Sequence, residues 1–151
     1  HVLSALAKRF QVSFEALCIR FIKFTTQRAI LVYWDNGFVK YEWRSSSAVK
    51  TRARIRRTDD PQEPLPGTLA ADSTVEQEWD GTEMSAAIWC PEEAPHMKLR
   101  EFKHSYTTGD RVLTLLLLES AEPRSWDRSW QDGESFDSFD QFVSNGQLPV
   151  R

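Results

Sequence analysis

Three histidines and two cysteines are the side chains best suited to chemistry in this 151-residue chain. The histidines are His1, His96 and His104, and no two of them form the HExxH pair with which a zinc hydrolase grips its metal. His96 stands in a proline-flanked loop and His104 at the end of an expected strand, so surface positions are predicted for both. Cys18 and Cys90 lack metal-binding spacing and are too few for a disulfide framework. Cys18 falls on the apolar arc of an expected helix and reads as a small core residue. Cys90 ends an expected strand before Pro91, where it could be exposed. Glu92 and Glu93 beside it would raise its thiol pKa, the wrong direction for a nucleophile. Six scattered glycines make no phosphate-cradling loop, and GxSxG is absent. The expectation is therefore no catalytic residue, no metal and no cofactor in this chain, which is not read as an enzyme.

A second kind of chemistry lies in residues 44–57, RSSSAVKTRARIRR, which hold six basic residues and no acid. Lys50, Arg52, Arg54 and Arg56 alternate with Thr51, Ala53 and Ile55. Alternation of this kind predicts an edge strand with a basic outer face. Such a face serves either as a solvated edge that discourages aggregation or as a contact for an anionic ligand, nucleic acid or an acidic partner.

The elements that must position these residues belong to an ordinary soluble composition, 40% hydrophobic and 27% charged. A formal net charge of −3 gives no global pull toward nucleic acid. The longest apolar run, VLTLLLL at residues 112–118, is far short of the roughly 20 residues of a membrane-spanning helix. No basic start leads into an apolar stretch, so no signal peptide is expected, and a reducing cytoplasm is the expected compartment. The chain opens on His1 rather than Met and reads as a fragment, a processed product or the ordered part of something longer.

Residues 2–10 place Leu3, Leu6, Ala7 and Phe10 on one helical face. A tight turn at Gln11 and Val12 follows, then Ser13 as N-cap and a second helix to about Phe24, with Glu15 favouring the positive end of its dipole. This pair has the outline of a helix-turn-helix. In FEALCIRFIKF, however, only Glu15, Arg20 and Lys23 are polar, so the helix lacks the polar face a duplex reader needs and should be buried on most sides. With little chain before it, part of that apolar girdle should meet a partner or a second copy, and Phe14, Ile22 and Phe24 are the predicted contacts. Residues 29–44 read as a hairpin about Asn36-Gly37, with Trp34 facing Val39, Val32 facing Tyr41 and Ile30 facing Trp43, all six on one face. A proline-rich loop at 58–67, a weak helix near Ser73 to Trp79 and a short strand at 84–90 are expected next. Strands at 97–104 and 111–119 should then pair as an antiparallel hairpin around YTTGD, the second of them buried on both faces. From 119 to 140 there are seven acids and two arginines, a net of −5, interleaved with Trp126, Trp130, Phe136 and Phe139. This tail could lie loose or cover the basic 50–57 segment.

LAKRFQVSFEALCIRFIKF resembles the stretch that follows the peptidase core in the ImmA/IrrE family. The pattern stands here as Leu6-Ala7, Phe10, Val12-Ser13, Ala16-Leu17 and Arg20-Phe21, with Phe21 in place of the usual Leu. The hairpin VYWDNGFVKYEW and Ser45 to Ser47 continue the likeness. LREFKHSYTTGDRVLTLLLL is similar to the later strands of the family's GAF-like domain, with Glu101, Gly109 and Leu113 to Leu116 in place. The resemblance implies an α+β fold in three parts: a helix-turn-helix-like segment at 1–27, a GAF-like antiparallel sheet with one or two helices at 28–119, and the acidic tail at 120–151. It further implies the regulatory, sensing and protein-recognition part of a zinc metallopeptidase that cleaves a helix-turn-helix repressor in stress response. Zinc would belong to the family's catalytic domain, since this chain lacks HExxH. Expected partners are that peptidase domain or another protein chain, the repressor, or a second copy of this chain; no membrane partner is expected. Two alternatives stand beside it: a DNA-binding regulator using the helix pair and the basic strand, and a free-standing small-molecule sensor.

Overall fold

The computed structural model describes residues 2–10, 13–58, 61–107 and 110–122. Helices α1 (Val2–Phe10) and α2 (Phe14–Phe24) lead into strands β1 (Arg28–Asp35) and β2 (Phe38–Arg44). A short helix α3 (Ser46–Lys50) opens a long crossover to β3 (Gln77–Ser85), followed by a four-residue helix α4 (Ala86–Trp89), β4 (Lys98–Ser105) and β5 (Arg111–Leu118). The fold is α+β, one antiparallel sheet in the order β2-β1-β5-β4-β3 with helices on both faces. The expected β4–β5 hairpin is present, and β5 also pairs with β1 along its whole length. That double pairing puts it in the middle of the sheet and explains why six of its eight residues, RVLTLLLL, are apolar. The tight turn at residues 11–12, the side chains of Ala7 and Phe10, Gly109, and the acidic tail from residue 123 onward with its postulated cover over 50–57 lie outside the described residues.

The Asn36-Gly37 turn forms as expected, with φ of 52° and 83°, and Trp34 pairs with Val39. Beyond that pair the expected register fails. Tyr33 meets Tyr41, Leu31 meets Trp43, and Ile30 meets Arg44. Lys40 is an extra residue on β2, a β-bulge, and one inserted residue sends every later side chain to the opposite face. Val32 and Ile30 therefore do not face Tyr41 and Trp43. Trp43 joins Leu31 and Tyr33 on one face, while Ile30, Val32 and Trp34 fill the other.

The face that carries Ile30, Val32, Trp34, Leu99 and Leu116 is covered by the β2–β3 crossover and α4. Ser45 starts the crossover as N-cap of α3. Its hydroxyl accepts from Ala48 N (3.2 Å) and Ala29 N (2.9 Å) and donates to the Gln27 carbonyl (2.8 Å). Helix α3 is capped at Thr51, and Arg52 just beyond it takes a left-handed φ of 58°, with Ala53 N donating to the Ala48 carbonyl at 2.9 Å. Residues 50–57 are thus not an edge strand. The alternation is real, since Thr51, Ala53 and Ile55 are buried, but it comes from a helix end and an extended segment laid across the sheet, whose edges are β2 and β3. Two further expectations fail. Residues 73–76 are turn and Gln77 begins β3, so the weak helix is absent; residues 86–89 are helix rather than strand. In both places the chain must reverse at the sheet edge, and this demand overrides local propensity.

Buried charges pin the crossover in place. The Glu101 carboxylate, fully buried, accepts from Leu69 N (3.0 Å), Ala70 N (2.8 Å) and Trp89 Nε1 (3.3 Å). Burial pushes its pKa up, and these donors oppose that by favouring the charged form. Lys103 Nζ donates to the Asp72 carbonyl at 2.7 Å. Arg28 is held by Thr51 Oγ1 (2.8 Å), the Glu119 carbonyl (2.7 Å) and the carboxylate of Glu93.

Candidate functional site

The opposite face meets the helix pair. Ser13 caps α2 as expected, its Oγ accepting from Ala16 N at 3.1 Å. One stripe of α2 then turns inward: Cys18 and Ile22 are buried with Leu31, Tyr33, Trp43 and Leu113, and Phe14 and Phe21 pack at the margin. Helix α2 rests over β1 and β2. The far half of the same sheet face, formed by β5, β4 and β3, is only partly covered. Leu113, Leu115 and Leu117 alternate onto it from β5, and Phe102 and His104 from β4. Between them and the stripe of Phe14, Cys18 and Phe21 lies a half-open cavity of about 350 Å³, lined also by Val2 and Leu3 of α1.

Trp79 completes the wall. Residues 79–81 bulge from β3 opposite Phe102, with Glu78 Oε1 accepting from Asp80 N and Gly81 N (both 3.0 Å) and Gly81 at φ 82°. The Trp79 ring meets Phe14 edge-on at 5.4 Å between centroids, and His104 lies 4.8 Å from Phe14 and 5.3 Å from Trp79. Tyr106 packs on the other side of His104 at 4.8 Å.

His104 is the polar group of this apolar site whose proton can be placed. Gln77 Nε2 donates to the Ser105 carbonyl (2.8 Å), which leaves Gln77 Oε1 to meet His104 Nδ1 at 2.7 Å. A carboxamide oxygen only accepts, so Nδ1 carries the proton. Burial holds the imidazole pKa below the ordinary histidine value. At neutral pH the ring is therefore neutral and Nε2 offers a lone pair. Two other groups are chemically quiet. The Cys18 thiol is pushed up to about 12, first by burial and then by Glu15. Burial and then Glu15 likewise raise the Tyr106 hydroxyl, whose oxygen has no hydrogen-bond partner among the described residues. Cys90, which the sequence left open to solvent, is buried, and its thiol too is pushed up to about 12 by burial and then by Glu93.

The positions singled out from sequence are dispersed. Of the predicted partner contacts, Ile22 is fully buried inside the chain and Phe14 lines the cavity; Phe24 is 65% exposed, flanked by Lys23 and Arg20. Lys50 and Arg56 are exposed, whereas Arg52 and Arg54 are half-buried. Arg56 donates to the Ala87 carbonyl (3.2 Å), Arg57 pairs with Glu42 (2.8 Å), and Glu92 and Glu42 lie near Arg54. The basic segment is thus interleaved with acids from β2 and the α4–β4 loop rather than presented as one cationic stripe. His96 is exposed as expected, but His104 is half-buried. Trp79, Phe102 and Leu117 were not singled out. The spacing of Phe102 and His104 along one strand was the available signal; Trp79 gave none, because it sits in a bulge. Among the described residues no three His, Cys, Asp or Glu side chains gather as metal ligands. No family model and no curated protein matches the sequence.

Proposed function

We propose that the chain is the GAF-like sensing and protein-recognition part of an ImmA/IrrE-type metallopeptidase, acting beside a catalytic domain and without catalytic residues of its own. The observation that carries this reading is the use made of α2. One apolar stripe lies against polypeptide, with Cys18 and Ile22 buried, rather than the burial on most sides expected from sequence, and the outer face offers Arg20, Lys23 and the exposed Phe24. Two cations around one exposed aromatic suit a protein contact and make a poor reader of a duplex. The five-stranded antiparallel sheet with a long β2–β3 crossover supports the GAF-like part of the reading. So does the cavity between sheet and helices, a common place for a signal to enter a sensor.

The coding sequence upstream of His1 tests the proposal directly. An HExxH-bearing stretch joined to this chain is the expected finding, and an unrelated upstream domain would overturn it. With that stretch attached, reversing the charges of Arg20 and Lys23 together with Phe24→Asp should slow repressor cleavage while leaving zinc content unchanged.

A further inference from the structure

We propose that the cavity between α2 and strands β3 to β5 binds a small planar aromatic molecule bearing one N–H or O–H donor, held by Phe14 and Trp79 and donating to Nε2 of His104. The inference deepens the sensing half of the proposed function and does not depend on the peptidase half.

Size comes first. A volume of about 350 Å³ accommodates a compact ring system, at the small end of ligand sites. Water is a poor alternative filling, since an ordered water needs two to four polar partners. The wall is mainly leucine, phenylalanine and tryptophan, with Gln27 and His104 as its polar side chains, and the Lys103 ammonium is drawn away to the Asp72 carbonyl of the crossover. Shape comes next. The Phe14 and Trp79 rings meet at 84° and the His104 ring is tilted to both, by 57° and 43°. Rings set at steep angles make a corner, and a flat guest can lie on one ring face while offering its edge to another. Polarity decides the rest. Gln77 fixes the His104 tautomer from outside the cavity, so what remains on the imidazole is an acceptor. The complementary guest carries a donor on an otherwise apolar ring. A carboxylate or phosphate would meet no cation there, since the Lys103 ammonium is turned to the crossover, and would be desolvated without a charge partner. This site lies on the helix-covered face; the crossover-covered face is filled by Trp34, Trp89 and the Glu101 network.

The test titrates the intact chain with indole, and separately with benzofuran, which has the same outline and no donor. Methyl NMR of the leucines reads the site. Saturable shifts of the Leu113, Leu115 and Leu117 methyls are expected with both compounds, with indole binding about tenfold tighter, the effect of one hydrogen bond to a shielded acceptor. His104→Phe should keep the shifts and abolish the indole advantage. Leu115→Trp, which fills the cavity, should abolish binding of both; if that variant fails to fold, the His104→Phe comparison still decides. The proposal is overturned if neither compound moves these methyls at millimolar concentration, if Leu99 and Leu116 on the other face respond instead, or if the indole preference survives in His104→Phe. None of these results bears on what lies upstream of His1, so failure here and failure of the peptidase reading are separable.

Discussion

The two faces of the sheet are closed by different physics. On one, the crossover is tied down by buried polar groups: Glu101 to the backbone of Leu69 and Ala70 and the indole of Trp89, Lys103 to Asp72, Arg28 to Thr51 and Glu93. On the other, α1 and α2 are held mainly by apolar contact. Buried hydrogen bonds are directional, and each unmade one costs about 1–3 kcal/mol, so the crossover has one place to sit. Apolar contact is non-directional, and a helix held by it can cover half a sheet face and leave the rest open. The sealed face is a scaffold and the loosely covered face holds the cavity. Sites that must admit a guest or move are drawn from such less constrained regions.

The widest gap between the faces should appear in thiol reactivity. Both cysteines have pKa values pushed from 9.0 to about 12, which at pH 8 lowers the thiolate fraction roughly a thousandfold below an ordinary cysteine. Alkylation by iodoacetamide should therefore proceed through local opening, and mass spectrometry should find Cys18 of α2 labelled before Cys90. Labelling in the reverse order would break the contrast.

Removal of the anchor on the sealed face comes next. Glu101→Ala leaves two backbone N–H groups and an indole N–H buried without an acceptor, and urea unfolding should show a loss of about 3–5 kcal/mol. Glu101→Gln retains an acceptor and should lose less. A pair of neighbouring leucines then compares the faces within one strand. Leu116 is fully buried against the crossover, whereas Leu117 is half-buried beside the cavity. Leu116→Ala should cost about 3 kcal/mol and Leu117→Ala about 1 kcal/mol, because the second site already borders empty space. Equal losses would mean that the two faces are packed alike.

Two smaller effects sharpen the picture. Deletion of Lys40 removes the bulge but keeps Tyr41 opposite Tyr33 and Trp43 opposite Leu31, so stability should change by less than about 1 kcal/mol and NMR contacts of Trp43 should persist. Phe24→Ser removes an exposed ring from a surface position, and denaturation should shift by no more than about 0.5 kcal/mol.

Local rules were legible where a local cause was sufficient. The Asn36-Gly37 turn, the Ser13 cap, the apolar stripe of α2 and the pairing of β4 with β5 all follow from residue types and spacing. The misreadings share another cause. Lys40 shifts a register that the alternation of its neighbours does not betray, and Arg52 enters the left-handed region where glycine would have announced a turn. Residues 51–55 alternate as a strand would while lying across a sheet they do not join. His104 looked like a surface residue because its neighbours in space, Phe14 and Trp79, are distant in sequence.

By itself, then, the sequence determined the inventory of elements around β1, β2, β4 and β5, the absence of an HExxH or GxSxG motif, and the apolar character of α2, but not that Ile22 turns inward, since only the former depend on hydrogen bonds and periodicities that close within a few residues. Only the tertiary structure decided which sheet face Trp43 fills, that Glu101 spends its charge on the crossover backbone, and that Phe14, Trp79 and His104 meet around a cavity. Those outcomes depend on how distant segments exclude one another from space, and no short-range pattern encodes that.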